Sequence, residues 1–493
     1  MREVDSSRSA GELAALLGDW PSGDGPLYRK LTQALRRAVD GGMLAVGERL
    51  PSERALAAAL AISRTTVIAA YGELRTEGLL DSRQGSGTRV SPGLAPARPD
   101  GWVPGGRGAP MYQRLLDGSG DLISLSSVRS EGLPEVAEAV REVAAEDLPA
   151  LMAEAGYHPR GLPALRAAVA EHYTGKGLAT HPGQIVVTTG AHQAIALVAA
   201  LYLRKGAPVV VESPGFTGCL DLLRAEGVEF LSVPMDEHGI DAVRAREVLR
   251  EGSPHLMYLM PSYHNPTGVL MSSARRREIG ELAARNGVPV LEDGAYTGLR
   301  APEEPPPVAA FAPREAEVVT VGSLCKVGWA GLRVGWLRAP AEIAERLSRR
   351  KLLADLGTPL LDQAVAVRLL PQLDRLARAR SELLAGRLAF LEERLRTALP
   401  SWEWRGPDGG SALWVRMPGI ESHVFAQVAL RHGVELIPGS VMTPDGGGFS
   451  DHFRLPFGHD EETLEELVAR LARAWKDLSR HGPCEETPAR LVV

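Results

Sequence analysis

Cysteine is nearly absent. The three that occur, Cys219, Cys325 and Cys484, are widely separated and odd in number among 493 residues, giving neither a disulfide framework nor a paired thiolate site for a metal. Long apolar runs are missing too. Nothing approaches the ~20 residues that cross a bilayer, and the opening "MREVDSSRSAGELAALLGDW" lacks a basic segment followed by a long apolar one. Neither secretion nor membrane insertion is indicated, so a cytoplasmic chain is expected. No internal repeat occurs. What is present, 44% apolar and 24% charged residues over this length, suits a soluble globular protein of more than one domain.

A net charge of -6 conceals an asymmetry. Residues 26–90 carry ten Lys and Arg against six Asp and Glu, a surplus of +4 that leaves -10 for the remainder. A small basic module therefore precedes an acidic body, one sign of nucleic-acid binding. Its sequence, "LPSERALAAALAISRTTVIAAYGELRTEGLLDSRQGSGTRV", predicts two short helices: Ser52 caps the first, with Leu56 and Leu60 on one face, and Ser63 caps the second after a turn at Ala61 and Ile62. Val67, Tyr71 and Leu74 form a buried stripe on the second helix, which frees Arg64, Thr65 and Thr66 in its first turn to face outward. That is the placement with which a helix-turn-helix enters the major groove, and "SRQGSGTRV" supplies a glycine-rich hairpin able to lie along phosphates.

The run of arginine, "LPSER", "SRTTV", an aromatic, "EGLL" and a glycine-rich wing resembles the winged helix-turn-helix of the GntR regulators. The resemblance implies a DNA-binding domain over 26–90 after an N-terminal extension of residues 1–25. It makes Arg49, Arg54, Ser63, Arg64, Thr65, Thr66 and Gly87 the contacts to a double-stranded operator.

Beyond Val90 the composition turns to Pro and Gly ("SPGLAPARPDGWVPGGRGAP"), a linker over 91–120 that would span ~30 Å as a flexible coil. From Asp121 onward the β-rich runs "QIVVTT", "PVVVES", "LMYLMPS", "VPVLED" and "EVVTVGS" alternate with helical segments. This predicts an α/β body with a largely parallel sheet and a ligand site at the C-terminal ends of its strands. Every chemical motif falls at one of those ends. "TTGAHQA" offers the free N–H groups of Ala191 and His192 to a phosphate. Phe216 in "ESPGFTG" can stack on a planar ring, and Asn265 in "HNPTG" is held in a turn that turns its amide toward a ligand. Asp293 and Tyr296 in "LEDGAYTG" suit a ring nitrogen and a ring hydroxyl, while "GSLCKVGWAGLRVGW" sets a Schiff-base amine, Lys326, between the phosphate-binding Ser323 and Arg333.

Together these residues describe pyridoxal 5′-phosphate (PLP), and residues 121–480 resemble the fold type I aminotransferases. The resemblance implies a PLP-binding large domain over 121–345, a small C-terminal domain over 346–480 and a tail over 481–493. It assigns Lys326 to the cofactor aldehyde, Asp293 to the pyridinium, Asn265 and Tyr296 to the ring oxygen, and Ala191, His192, Ser323 and Arg333 to the phosphate. Tyr157 would reach a phosphate across a dimer interface, and Arg454 in "DHFRLPFGH" would grip an amino acid's carboxylate. No metal is expected. Phe216, His264 and Cys325 stand where tyrosine, glutamine and serine are commoner.

Head, linker and body in this order resemble the MocR subfamily of bacterial transcriptional regulators. Membership implies a PLP-dependent regulator that senses an amino compound or PLP itself, working as a head-to-tail homodimer with each head on the partner's body. A working aminotransferase that carries a DNA-binding head is the alternative; a PLP sensor controlling vitamin B6 synthesis is a narrower form of the regulator.

Overall fold

The computed structural model describes residues 8–18, 20–21, 25–40, 43–45, 47–83, 87–91, 120, 122–126, 131–299 and 304–481. The expected linker lies almost wholly outside these residues, as does the tail beyond residue 481.

The head contains α1 (Ala10–Leu17), α2 (Leu27–Asp40), α3 (Glu53–Ala59), α4 (Arg64–Thr76) and an antiparallel hairpin of β1 (Leu80–Arg83) with β2 (Gly87–Val90). Ser52 and Ser63 cap α3 and α4 by accepting from the amides of Ala55 and Thr66, each at 3.2 Å. Each such cap is worth about 1 kcal/mol to its helix. Val67, Tyr71 and Leu74 on α4 are fully buried with Leu56 and Leu60, and the Tyr71 hydroxyl donates to the Pro51 carbonyl at 3.0 Å. The same core also encloses Leu13, Ala14, Leu17 and Trp20. α1 and Trp20, part of an extension by sequence, thus supply part of the head's interior, where the apolar face of α1 is covered.

The body is built on an eight-stranded sheet. Its strands are β4 (Ile185–Thr188), β5 (Pro208–Ser213), β6 (Glu229–Asp236), β7 (Gly239–Ile240), β8 (Leu256–Leu259), β9 (Val290–Asp293), β10 (Val318–Ser323) and β11 (Gly335–Arg338), in the order β4-β11-β10-β9-β8-β5-β6-β7. From β10 to β6 all neighbours are parallel. Strands such as "LMYL" and "VLED" are buried at every position, as a sheet covered by helices on both faces requires. One departure matters: β11 runs antiparallel to both β10 and β4, so the chain leaving β10 turns straight back along it. That reversal returns Arg333 to the strand ends.

A second sheet holds β12 (Glu403–Trp404), β13 (Ala412–Arg416), β15 (Ile437–Pro438) and β16 (His452–Pro456), all antiparallel. Helices Leu373–Ala398, Ser422–Arg431 and Glu461–His481 accompany it in the C-terminal part, and an aromatic cluster of Trp402, Phe425, Phe453 and Trp475 fills its core. A short β3 (Ile123–Ser124) pairs in parallel with β14 (Val434–Glu435), so the start of the body is stitched to its end. The head rests on this C-terminal part: Trp20 Nε1 donates to Gln427 Oε1 at 2.8 Å and Arg431 donates to the Ala61 carbonyl at 3.0 Å.

Candidate cofactor and effector site

At the end of β9, Asp293 is buried with both oxygens engaged: Oδ2 accepts from the Tyr258 hydroxyl and Oδ1 from the Ala295 amide, each at 2.9 Å. Burial pushes its carboxyl above the usual range, and the two donors with the Lys326 charge pull it back only in part. A cationic ring nitrogen placed there would favour the ionised form. Tyr296 follows on the same turn, its ring centroid 5.3 Å from Lys326 Nζ. Burial pushes the phenol up, but Lys326, Arg454 and a hydrogen bond from Ser411 together outweigh it and leave it below its ordinary value.

Lys326 sits in the loop between β10 and β11 and is half-buried. Ser323 Oγ accepts from the Cys325 amide at 3.1 Å and donates to the Val334 carbonyl at 3.3 Å, bracing both sides of that loop. Beyond the lysine, buried Arg380 donates to the carbonyls of Val327 and Gly328 at 3.2 and 2.9 Å. This clasp comes from a helix more than fifty residues away. Neither charge pattern nor spacing in the sequence points to it.

Further groups converge on the same strand ends. Gly190 has φ 106°, and a Cβ there would fall 2.9 Å from Arg333 Nη2; a Cβ at Gly335 would fall 2.7 Å from Gly190 itself. Only glycine leaves this hollow open. Arg333, itself at φ 49°, donates to the Thr189 carbonyl at 2.8 Å, and the helix Ala191–Tyr202 begins beside it with the unpaired first-turn amides of Ala191 and His192. A guanidinium and helix N–H groups around a hollow suit a phosphate dianion. The His192 side chain is exposed.

Asn265 is buried and its Oδ1 accepts from Arg454 Nη1 at 3.4 Å. Arg454 is itself 3% exposed; its Nη2 donates to the carbonyls of Leu125 and Ser126 at 3.0 and 2.7 Å, and its Nε has no partner among the described residues. An unpaired guanidinium N–H this deep costs free energy until an acceptor arrives, and a carboxylate supplies one. Phe216 caps the helix Thr217–Ala225 just beyond β5. Tyr157 lies apart, 70% exposed on a loop. His452 pairs with Asp451 at 2.6 Å and stacks on Trp414, a neighbour of Arg454 on β16.

These donors fit PLP: a buried acid, an amide with a phenol, an amine and a glycine-opened anion hollow. Among the described residues no group of three or more His, Cys, Asp or Glu could hold a metal ion, and no helix is long and apolar enough to cross a membrane. In the head, Arg49, Arg54, Ser63, Arg64 and Thr65 are exposed and Thr66 is half-buried. The Ser63 hydroxyl joins those of Thr65 and Thr66 at 2.8 Å each, and a Cβ at Gly87 (φ 82°) would fall 2.9 Å from Arg49 Nε.

Comparison with known proteins agrees with both halves. Residues 121–471 match the family "Aminotransferase class I and II", and residues 27–90 match "Bacterial regulatory proteins, gntR family". The HTH-type transcriptional regulator YisV of Bacillus subtilis is 32% identical over 91% of this chain and 96% of its own. The probable rhizopine catabolism regulatory protein MocR of Rhizobium meliloti is 29% identical over 66% of this chain and 68% of its own. The solved α-aminoadipate aminotransferase LysN of Thermus thermophilus superposes with a TM-score of 0.67 at 30% identity, covering 75% of this chain and 95% of that one. The chain therefore belongs to the class I and II aminotransferase family and, with a gntR-family head before that body, is a PLP-dependent DNA-binding transcriptional regulator of the MocR type.

Proposed function

We propose that the body of this regulator is a receptor for a small amino compound bearing a carboxylate, and that occupancy of the site alters how the head meets DNA. The observation that carries this reading is Arg454: a buried guanidinium whose Nε has no partner among the described residues, bonded to Asn265 and close enough to Tyr296 to lower its phenol. Lys326 would hold the cofactor, Asp293 its ring nitrogen, Asn265 and Tyr296 its ring oxygen, and Phe216 its ring face. Ala191, His192, Ser323 and Arg333 would take its phosphate, joined by Tyr157 of a second subunit. PLP bound there supplies an aldehyde for which an incoming amine competes with Lys326.

DNA recognition falls to Arg49, Arg54, Ser63, Arg64, Thr65, Thr66 and Gly87. Arg64 at the start of α4 is placed for a base edge, while the hairpin lies along phosphates. We further propose a cytoplasmic head-to-tail dimer. Exposed Met152, Tyr157, Trp329, Leu352, Leu353 and Leu361 supply apolar surface for a second copy. In the swapped form the seat between Trp20 and Gln427 is made across subunits rather than within one, the same surfaces meeting either way. A ligand shifts such an assembly only by its differential affinity for two arrangements.

The test is to follow the visible absorbance of the PLP-loaded chain and its binding to the DNA upstream of its own gene while amino acids and PLP are added in turn. One amine changing both signals in the wild type, and neither in Lys326→Ala, supports the reading. Response to free PLP alone would single out a PLP sensor. Sustained turnover with a 2-oxo acid and indifferent DNA binding would favour the aminotransferase reading, which the joint presence of Lys326, Asp293, Tyr296 and Arg454 supports.

A further inference from the structure

Beneath the strand ends, Glu212 and His264 face one another from β5 and from the turn that carries Asn265. Glu212 is the last residue but one of β5, four residues before Phe216; His264 immediately precedes Asn265. Both side chains are buried to within 2% of full exclusion, and His264 Nε2 lies 3.6 Å from Glu212 Oε2. Glu212 Oε2 accepts from the Met260 amide at 2.7 Å, and His264 Nδ1 meets Thr267 Oγ1 at 3.0 Å. The two remaining polar atoms, Glu212 Oε1 and His264 Nε2, have no partner among the described residues.

Three protonation states are open to such a pair. A carboxylate beside neutral imidazole leaves a buried charge with at most two N–H donors, the Met260 amide and, in one tautomer, His264 Nε2, against Asp293 as a like-charged neighbour. An ion pair buries two charges, which costs several kcal/mol per ion before their attraction is counted. A carboxylic acid beside a neutral imidazole buries none, and a small closure of the 3.6 Å gap between Oε2 and Nε2 makes a hydrogen bond that gives His264 Nε2 its partner. Asp293 is the charged group pressing on Glu212, and the Lys326 charge acts in turn on Asp293. Burial also pushes the Glu212 carboxyl up to about 8 and the His264 imidazole down to about 3, in keeping with the third state.

We propose that Glu212 and His264 share one proton as an uncharged couple, and that they are positioning residues joining the loop of Phe216 to the turn of Asn265. The Glu212 O–H donates to His264 Nε2 while His264 Nδ1–H donates to Thr267 Oγ1; raising the pH releases the single proton to solvent. The consequence for the cofactor ring, held between those two loops, rests on the PLP reading above.

Infrared difference spectra of the full chain without cofactor, wild type against Glu212→Gln, should show a protonated carboxyl at neutral pH that fades as the pH rises through about 8. Histidine nitrogen resonances, assigned with His264→Gln, should show His264 neutral with its proton on Nδ1. An ionised Glu212 or a cationic His264 at neutral pH overturns the couple. For positioning, His264→Leu should raise the Kd for PLP about tenfold by stranding the carboxyl proton. His264→Gln, with both an acceptor and a donor, should recover most of that loss. Equal affinity in the three chains overturns the positioning role. The infrared result stands on the unaltered chain even where a variant fails to fold. Should the wild type take up no PLP, the cofactor reading fails while the spectra still decide the couple.

Discussion

In the head, Arg64 and Thr65 lie exposed on the first turn of α4 while the stripe beneath them is sealed; in the body, Asp293, Asn265 and Arg454 are themselves sealed. The head recognises a large polyanion, so its working groups keep their water until contact and act through charge and reach. The body recognises a small molecule, and its groups gain selectivity from having lost their water already. An exposed residue of the head such as Arg64 can therefore be removed at little cost to folding. A body residue removed alone leaves a partner buried and unpaired.

The largest effect that sharpens this contrast is Lys326→Ala, expected to abolish the lysine-dependent visible absorbance of the PLP-loaded chain while leaving DNA affinity without effector intact. Absorbance titration and band-shift assays on one preparation read both. Next, Leu56→Ala should destabilise the head by roughly 2–5 kcal/mol without moving the melting of the body, as separate calorimetric transitions would reveal. A single merged transition would break the contrast. Arg64→Ala should weaken operator binding by about 1–3 kcal/mol and relax sequence preference, with PLP uptake unaltered. Replacing Arg454 by Leu should cost carboxylate-bearing effectors at least about tenfold in apparent affinity and spare amines that lack a carboxylate, read from the concentration that half-shifts absorbance.

The smallest effect is in pH. Glu212 has a folded pKa raised from 4.5 to about 8, so its contribution is fully present below the unfolded value and lost as the pH climbs from about 4.5 through about 8. His264 has a folded pKa lowered from 6.5 to about 3, so its contribution grows over the interval from about 3 to 6.5. The two oppose one another up to about pH 6.5, so the body should lose stability from there to about pH 8, and Glu212→Gln should flatten that limb in thermal melts across pH.

Local chemistry made much of this legible. The caps at Ser52 and Ser63 and the stripe of Val67, Tyr71 and Leu74 are written within a few residues of one another, and strands such as "PVVVES" and "VPVLED" are short apolar runs ending in polar groups. What stayed hidden depends on partners far along the chain. β11 reads as the tail of the lysine motif, and only its pairing with β4 and β10 fixes its direction. Arg380 is one arginine among several on a long helix until its carbonyl partners are seen. Leu13 and Trp20 belong to an apparent extension until α2 closes over them. Glu212 and His264 each look ordinary, and their meaning lies in facing each other.

The seat of the head on the helix Ser422–Arg431 has a consequence in concentration. A head tied to its own body by about 30 residues meets that seat at an effective concentration near the millimolar range, whatever the amount of protein present. A head seated on another subunit depends on how many subunits there are. Dilution should therefore leave the first arrangement untouched and dismantle the second, so the cell's supply of this regulator would itself decide which body a given head reports on.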